Sequence, residues 1–281
     1  MSTSLRGFRP FRTAPNTVLS VQDVYRRAPS VFAAEAHSSR SEKFVPVSTA
    51  NVLDALLKEG YVVTDAQQSR CRDADRRDFT KHLVRLRHRD QLANPTLVGG
   101  SVPELLITNA NDGASAFNVG FGVFRLVCSN GLVVGRQLAN TSVRHVGRSV
   151  IDDVIEGTYR VLETSDEVLG RIERWSGIQL AQPQQLQLAQ KAAEARWGVD
   201  EAGNLQAPIN NVQQLLRPNR IEDRLDDAWT VINRIQENIV RGGVRGHSAN
   251  GRRTSTRAIT GVDENLRVNR AIWTLAEELI A

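Results

Sequence analysis

Nowhere does this 281-residue chain hold an apolar run near the roughly 20 residues that cross a bilayer, so a membrane-spanning helix is not expected. The N-terminus has no apolar stretch after its basic residues, which argues against a secretory leader. Cysteine is scarce. Cys71 and Cys128 provide neither a disulfide framework nor metal-ligand spacing, and both read as small core residues of a reducing compartment, the cytoplasm. Lysine supplies only four of the 36 basic residues, a bias that a GC-rich genome alone can produce. No Gly-Lys-Ser/Thr ending closes the glycine-rich stretch 242–251, so a phosphate-binding P-loop is excluded. No nucleophile elbow or local Cys/His arrangement is present. The five histidines are scattered, and His82 and His88 are too far apart on one predicted strand to share a metal. No cofactor or metal is expected, and enzyme chemistry has no local support.

What the chain does contain is a core of ordinary size, at 41% hydrophobic and 24% charged residues. Its charge is uneven. Residues 1–150 hold 20 Lys/Arg against 12 Asp/Glu, a net of +8, and residues 151–281 hold 16 against 19, a net of −3. A basic half joined to a mildly acidic half marks the first half as the place for a polyanion.

Residues 1–43 read as an extended N-terminal arm, because Pro10, Pro15 and Pro29 prevent a long helix. Within the arm, Arg6, Arg9 and Arg12 are interleaved with Phe8 and Phe11, the pattern expected of an arm that grips nucleic acid or a partner subunit, or of an extended segment lying on the domain. Ser48 is the expected N-cap of a helix over 49–59, with Gly60 ending it. An antiparallel meander follows: strands at 61–72, 79–89, 104–108 and 115–128, then a short one at 132–135. Asn111-Asp112-Gly113 is the turn between the third and fourth strands. Residues 44–148 therefore form the α+β domain. Residues 149–281 form a mainly helical region, with helices expected over 149–175, 184–197, 221–240 and 265–280. Between the last two lies GGVRGHSANGRRTSTR (242–257), glycine-rich, polar and basic, which reads as a mobile loop.

Alternation along the second strand puts Lys81, Leu83, Arg85, Arg87 and Arg89 on one face, a row of cations about 6.5–7 Å apart. Arg70, Arg72, Arg76 and Arg77 come from the adjoining turn, where Asp73, Asp75 and Asp78 accompany them. Arg245, Arg252, Arg253 and Arg257 come from the basic loop. Such residues contact phosphates with little sequence preference and strong salt dependence. Asp152, Asp153 and Glu156 form the one acidic group that a Mg²⁺-dependent nuclease could use, though the start of a helix accounts for them without metal.

The segment NANDGASAFNVGFGVFRLVCSNGL resembles the hallmark of the phage- and plasmid-associated family called domain of unknown function 932. Asn109, Asp112, Gly113, Ser115, Arg125, Val127, Cys128 and Asn130 match its pattern, while Ala110 and Asn111 depart from the usual Ser-His. The C-terminal stretches LLRPNRIEDRLDDAWTVINRIQENIVRGGVRG and TRAITGVDENLRVNRAIWTLAEEL also resemble members of that family. The resemblance implies a mobile-element setting and brings no catalytic residues. The order helix, antiparallel meander, helix is similar to that of phage single-strand annealing proteins, which place DNA in a basic groove of a ring or filament. The leading expectation is a homo-oligomeric protein that holds single-stranded DNA in recombination or replication. The alternatives are a non-catalytic protein that recruits or blocks a host factor, using Trp175, Trp197, Trp229 and Trp273, and the metal-dependent nuclease.

Overall fold

The computed structural model describes residues 17–93, 101–125, 165–248 and 250–280, the backbone of 130–133 and 140–143, and the single residues 156 and 159. The arm carrying Arg6, Phe8, Arg9, Phe11 and Arg12 lies outside the described residues, as do Val127, Cys128, Asp152 and Asp153.

Short elements lead into the fold. Helix α1 spans Val21–Arg27, started by a capping box in which Ser20 and Asp23 satisfy each other's backbone N–H groups. A 3-10 turn, Pro29–Phe32, follows. Helix α2 spans Thr49–Lys58. The Ser48 side chain accepts from the Asn51 N–H at its start, and Val52, Leu53 and Leu56 form its buried face.

The sheet is antiparallel throughout its main path. Strand β1 spans Tyr61–Gln68, β2 His82–His88, β3 Ser101–Ala110 and β4 Ser115–Arg125, paired in that order. The short helix α3, Arg89–Ala93, follows β2. Two four-residue strands share the far edge of β4: β5, Asn130–Val133, pairs with its last residues, and β6, Asn140–Val143, with its N-terminal half. Eleven residues give β4 room for both, and Gly120 and Gly122 leave its second face low where β3 and β4 meet.

One face of the sheet is apolar. Register places Val63, Leu86, Leu105 and Phe121 in one cross-strand row, and Ala66, Val84, Ile107 and Val119 in the next. This face packs on α2 and on Val24 and Val31 in one continuous core. The other face meets the helical half.

That half contains α4, Ser165–Gly177; α5, Gln182–Trp197; α6, Ala228–Arg241; and α7, Val262–Ile280. Trp175, Trp229 and Trp273, from α4, α6 and α7, are buried against one another with centroids 4.9 to 6.4 Å apart. Tryptophans offered as a docking surface are thus the core of this half, and Trp197 is half-buried against it. Helix α6 is buried along nearly its whole length, including Asn233, Arg234, Gln236, Glu237 and Asn238. Its polar side is covered with its side chains partnered: Gln236 donates to Asn269, Asn238 donates to the Leu215 carbonyl, Glu237 accepts two bonds from Arg220, and Arg234 donates to Asp226 through Nη2 while its Nε has no partner among the described residues. Residues 221–227 do not join α6 as expected. They form a 3-10 turn, Glu222–Arg224, and an extended link, and Asp227 is the true N-cap, accepting from the Thr230 N–H.

Candidate nucleic-acid interface

The cation row of β2 is not an open face. Arg85 and Arg87 are 4% and 2% exposed, and both bind Glu104 of the neighbouring strand. Arg85 Nη1 lies 2.8 Å from Glu104 Oε2, and Arg87 Nε lies 2.8 Å from Oε1. The Arg87 guanidinium also sits 3.7 Å from the centre of the Phe124 ring. Asp65 stands opposite Arg85 in the register and receives a bond from Arg27 at 3.0 Å. Burial pushes its carboxyl up to about 6, against the pull of Arg85 and Arg27 and with a further push from Glu104.

The expectation that these arginines bind phosphate is therefore corrected. Alternation placed them together on one face as expected, but that face is covered. Val262 and Leu266 of α7 pack on Leu83 and Leu106, and Asp263 takes Lys81 in an ion pair. A phosphate could reach Arg85 or Arg87 only by displacing Glu104, which would leave a carboxylate buried and unpaired. Arg89 is exposed but belongs to α3, beyond the end of the strand.

In the β1–β2 connection, Arg70, Arg72 and Arg77 are exposed and Arg76 pairs with Asp112 at 3.1 Å. The connection is compact. Asp73 accepts from the Asp75 N–H, and a 3-10 turn, Arg77–Phe79, leads into β2.

The basic segment 242–257 forms a two-stranded hairpin where a mobile loop was expected. Strand β7, Arg245–His247, pairs antiparallel with β8, Arg253–Ser255, Arg245 facing Ser255 and His247 facing Arg253. Directly opposed residues share a face, so Arg245, His247, Arg253 and Ser255 all point outward, and all four are exposed. Arg252 and Arg257 are exposed beside them. The inner face is Gly246 and Thr254. A Cβ at Gly246 would stand 2.0 Å from the Pro208 carbonyl oxygen, so only glycine lets the hairpin seat this closely on the 208–210 strap. At its base, Gly243 N–H donates to Thr256 O at 2.8 Å and Thr256 N–H to Val244 O at 2.9 Å, directly after α6. From 238 to 262 the chain holds five arginines and no carboxylate. Of these, Arg245, Arg252, Arg253 and Arg257 make no ion pair among the described residues.

The residues of the family pattern do different work. Asn109 donates to the Val47 carbonyl at 2.8 Å and to the Thr49 hydroxyl at 3.1 Å. Asn111, which departs from the pattern, donates to the Ala33 carbonyl at 2.9 Å. Asp112 accepts from Arg76 and from the Ala114 N–H. Gly113 turns the hairpin at φ +78° with the Arg40 side chain against it. Ser115 opens β4, and Asn130 opens β5 opposite Arg125. Buried in the same network, His82 stands between the Ser30 hydroxyl (3.1 Å) and the Thr49 hydroxyl (2.9 Å), and burial pushes its imidazole down to about 4. The Asn109–Ser115 region thus fastens the chain from Ala33 to Thr49 onto the end of the sheet.

No group of three or more metal-ligating side chains occurs among the described residues, and Glu156 is exposed. No described helix is long and apolar enough to cross a membrane. Sequence reasoning missed Glu104 as the partner of Arg85 and Arg87. Its signal was an acid inside an apolar strand, two positions before Leu106 on the same face, beside a strand with two arginines at i, i+2.

Residues 36–273 match the family model described as Domain of unknown function (DUF932). The chain is 39% identical to UPF0380 protein YafZ of Escherichia coli K12 over 262 residues, covering 93% of this chain and 92% of that protein. It is likewise 39% identical, over the same shares, to UPF0380 protein YfjQ of the same organism. No solved structure matches the chain.

Proposed function

Since the chain belongs to the DUF932 family, whose description assigns no activity, we propose from its own geometry that it binds the phosphate backbone of nucleic acid through the β7–β8 hairpin, single-stranded DNA being the favoured form. One observation carries this reading: four exposed arginines on an acid-free hairpin, two of them on one outward face. Arg245 and Arg253 are diagonal neighbours across the pair, about 7–8 Å apart at the backbone, so each guanidinium can meet a different phosphate. Arg70, Arg72 and Arg77 are three further exposed arginines, in the β1–β2 connection. Arginine contacts to phosphates recognise charge, so sequence preference is small. The biological setting this suggests is strand handling in recombination or replication on a phage or plasmid.

The test is fluorescence anisotropy of labelled oligo-dT, duplex DNA and RNA over a salt series. Single-stranded contacts contribute about 0.7 each to the slope of log affinity against log salt. The triple variant Arg245→Glu/Arg252→Glu/Arg253→Glu is therefore expected to lose about 2 from that slope. Unchanged affinity and slope would refute the assignment.

A second reading, a protein that docks on a host factor, draws on Ile221 and Leu225, exposed at 75% and 63% beside α6. Pull-down in the presence of nuclease separates the two: a partner lost in Ile221→Ser/Leu225→Ser but kept in the arginine variant favours docking.

A further inference from the structure

The outward face of the β7–β8 hairpin holds a histidine among its arginines. His247 is exposed, two residues along β7 from Arg245 and directly opposite Arg253. Directly opposed side chains of an antiparallel pair have Cβ atoms about 4.5–5.5 Å apart, and alternate residues of one strand stand about 6.5–7 Å apart. A phosphate held between the two guanidinium groups is therefore within reach of the imidazole.

One hydrogen bond fixes which nitrogen it meets. His247 Nδ1 lies 2.9 Å from Asn210 Oδ1, on the strap against which Gly246 seats the hairpin. An amide oxygen only accepts, so Nδ1 carries the hydrogen and donates it. The two ring nitrogens point in diverging directions. Nε2 is turned away from the strap and makes no hydrogen bond among the described residues. In a neutral ring with its hydrogen on Nδ1, Nε2 is an acceptor, and so is a phosphate oxygen, so the two cannot bond. Only the imidazolium, a donor at both nitrogens, can hold Asn210 and a phosphate at once.

The charged groups around the ring are Arg253 across the pair and Arg245 on its own strand, with Arg252 in the turn and Arg257 past the end of β8. All keep their charge between about pH 5 and 8, the range over which histidine changes its own. No carboxylate competes for the ring: residues 238–262 hold none, and neither do residues 202–221, which include the strap. A bound phosphate is then the anion that the charged ring meets.

We propose that His247 is a proton-coupled phosphate contact: the strand binds with uptake of a proton from solvent at Nε2, so affinity rises as pH falls. The inference rests on the hairpin reading above and adds its regulation.

Anisotropy of labelled oligo-dT at about pH 8 and about pH 5.5, each over a salt series, tests it. One further single-strand contact adds about 0.7 to the salt slope, or about fivefold in affinity near 0.1 M salt. The wild type is expected to show both gains at the lower pH. Calorimetry at about pH 7, in two buffers of different ionisation enthalpy, is expected to show proton uptake on binding. His247→Gln retains a donor for Asn210 and carries no charge, so the gains and the uptake are expected to vanish. His247→Arg, charged throughout, is expected to hold the larger slope at both pH values. Buried Asp65 titrates in the same range but is common to all three proteins, so their differences isolate position 247. Three results overturn the proposal while leaving the hairpin arginines as the binding site: wild type that binds with no gain at the lower pH, a gain that survives in His247→Gln, or the smaller slope in His247→Arg. No oligo-dT binding at either pH would remove the hairpin reading and this inference with it.

Discussion

Arg125, near the end of β4, and Asp223, 98 residues further along the chain, meet at 2.6 Å with both side chains buried. The bond is one link of a longer path. Asp223 also receives Arg220, Arg220 grips Glu237 of α6 through two bonds, and Glu237 also holds Arg241, the last residue before the hairpin. Sheet, central helix and the start of the basic segment are thus joined by alternating charges, of which Arg125, Asp223 and Glu237 are buried. Removing one member leaves its neighbour charged and without compensation.

Asp223→Ala is therefore expected to destabilise the whole chain by about 3–5 kcal/mol, as is usual for one half of a buried pair. Urea unfolding monitored by tryptophan fluorescence reads this directly. A cost under 1 kcal/mol would show that the bridge does not hold the two halves together.

Glu104→Gln gives a sharper contrast. It strands Arg85 and Arg87 on the covered face, so a loss of about 3–5 kcal/mol is expected in urea unfolding. Affinity for oligo-dT, measured below the transition, is expected to stay within twofold, because neither arginine reaches solvent.

Gly246→Ala tests the seat of the hairpin. The added methyl meets the 208–210 backbone, and backbone cannot swing aside as a long side chain can. The outward arginines should shift, weakening oligo-dT binding at least threefold while the tryptophan core keeps its near-ultraviolet circular dichroism. Unchanged affinity would mean that the position of the hairpin does not matter.

Two buried groups set opposite pH dependences. The Asp65 carboxyl is raised to about 6 when folded, so between about pH 4 and 6 the native state binds more protons than the unfolded chain. Its contribution is fully present below pH 4 and is lost as pH rises through 6. The His82 imidazole is lowered to about 4 when folded, so the unfolded chain binds more protons between about pH 4 and 6.5. Its contribution is present above 6.5 and is lost as pH falls towards 4. The two slopes oppose each other across the shared window. Asp65→Asn is expected to make stability rise more steeply with pH from 4 to 6, and His82→Gln to make it fall. Urea midpoints at four pH values test both, and parallel curves for the wild type and both variants would contradict the assignment.

Much of the architecture was readable from local pattern. Ser48 and Gly60 bracket α2, alternation places β1 to β4, and Asp112-Gly113 turns β3 into β4, because caps, pleats and tight turns depend on residues a few positions apart. The match of Asn109, Asp112 and Gly113 to the family pattern was equally visible. Its physical meaning was not, because Asn109 and Asn111 act on Val47, Thr49 and Ala33, more than 50 residues earlier. Residues 242–257 looked like a loop because glycine and serine carry no strand signal. The hairpin arises from its seat on Pro208 and its bonds to Thr256.

By itself the sequence determined an α+β chain with a meander, a helical half and arginines grouped on one side of β2. The tertiary structure alone decided which arginines face water. The two-residue period of a strand says which side chains travel together, and only the packing of Val262, Leu266 and Glu104 against that face says whether they meet solvent or one another.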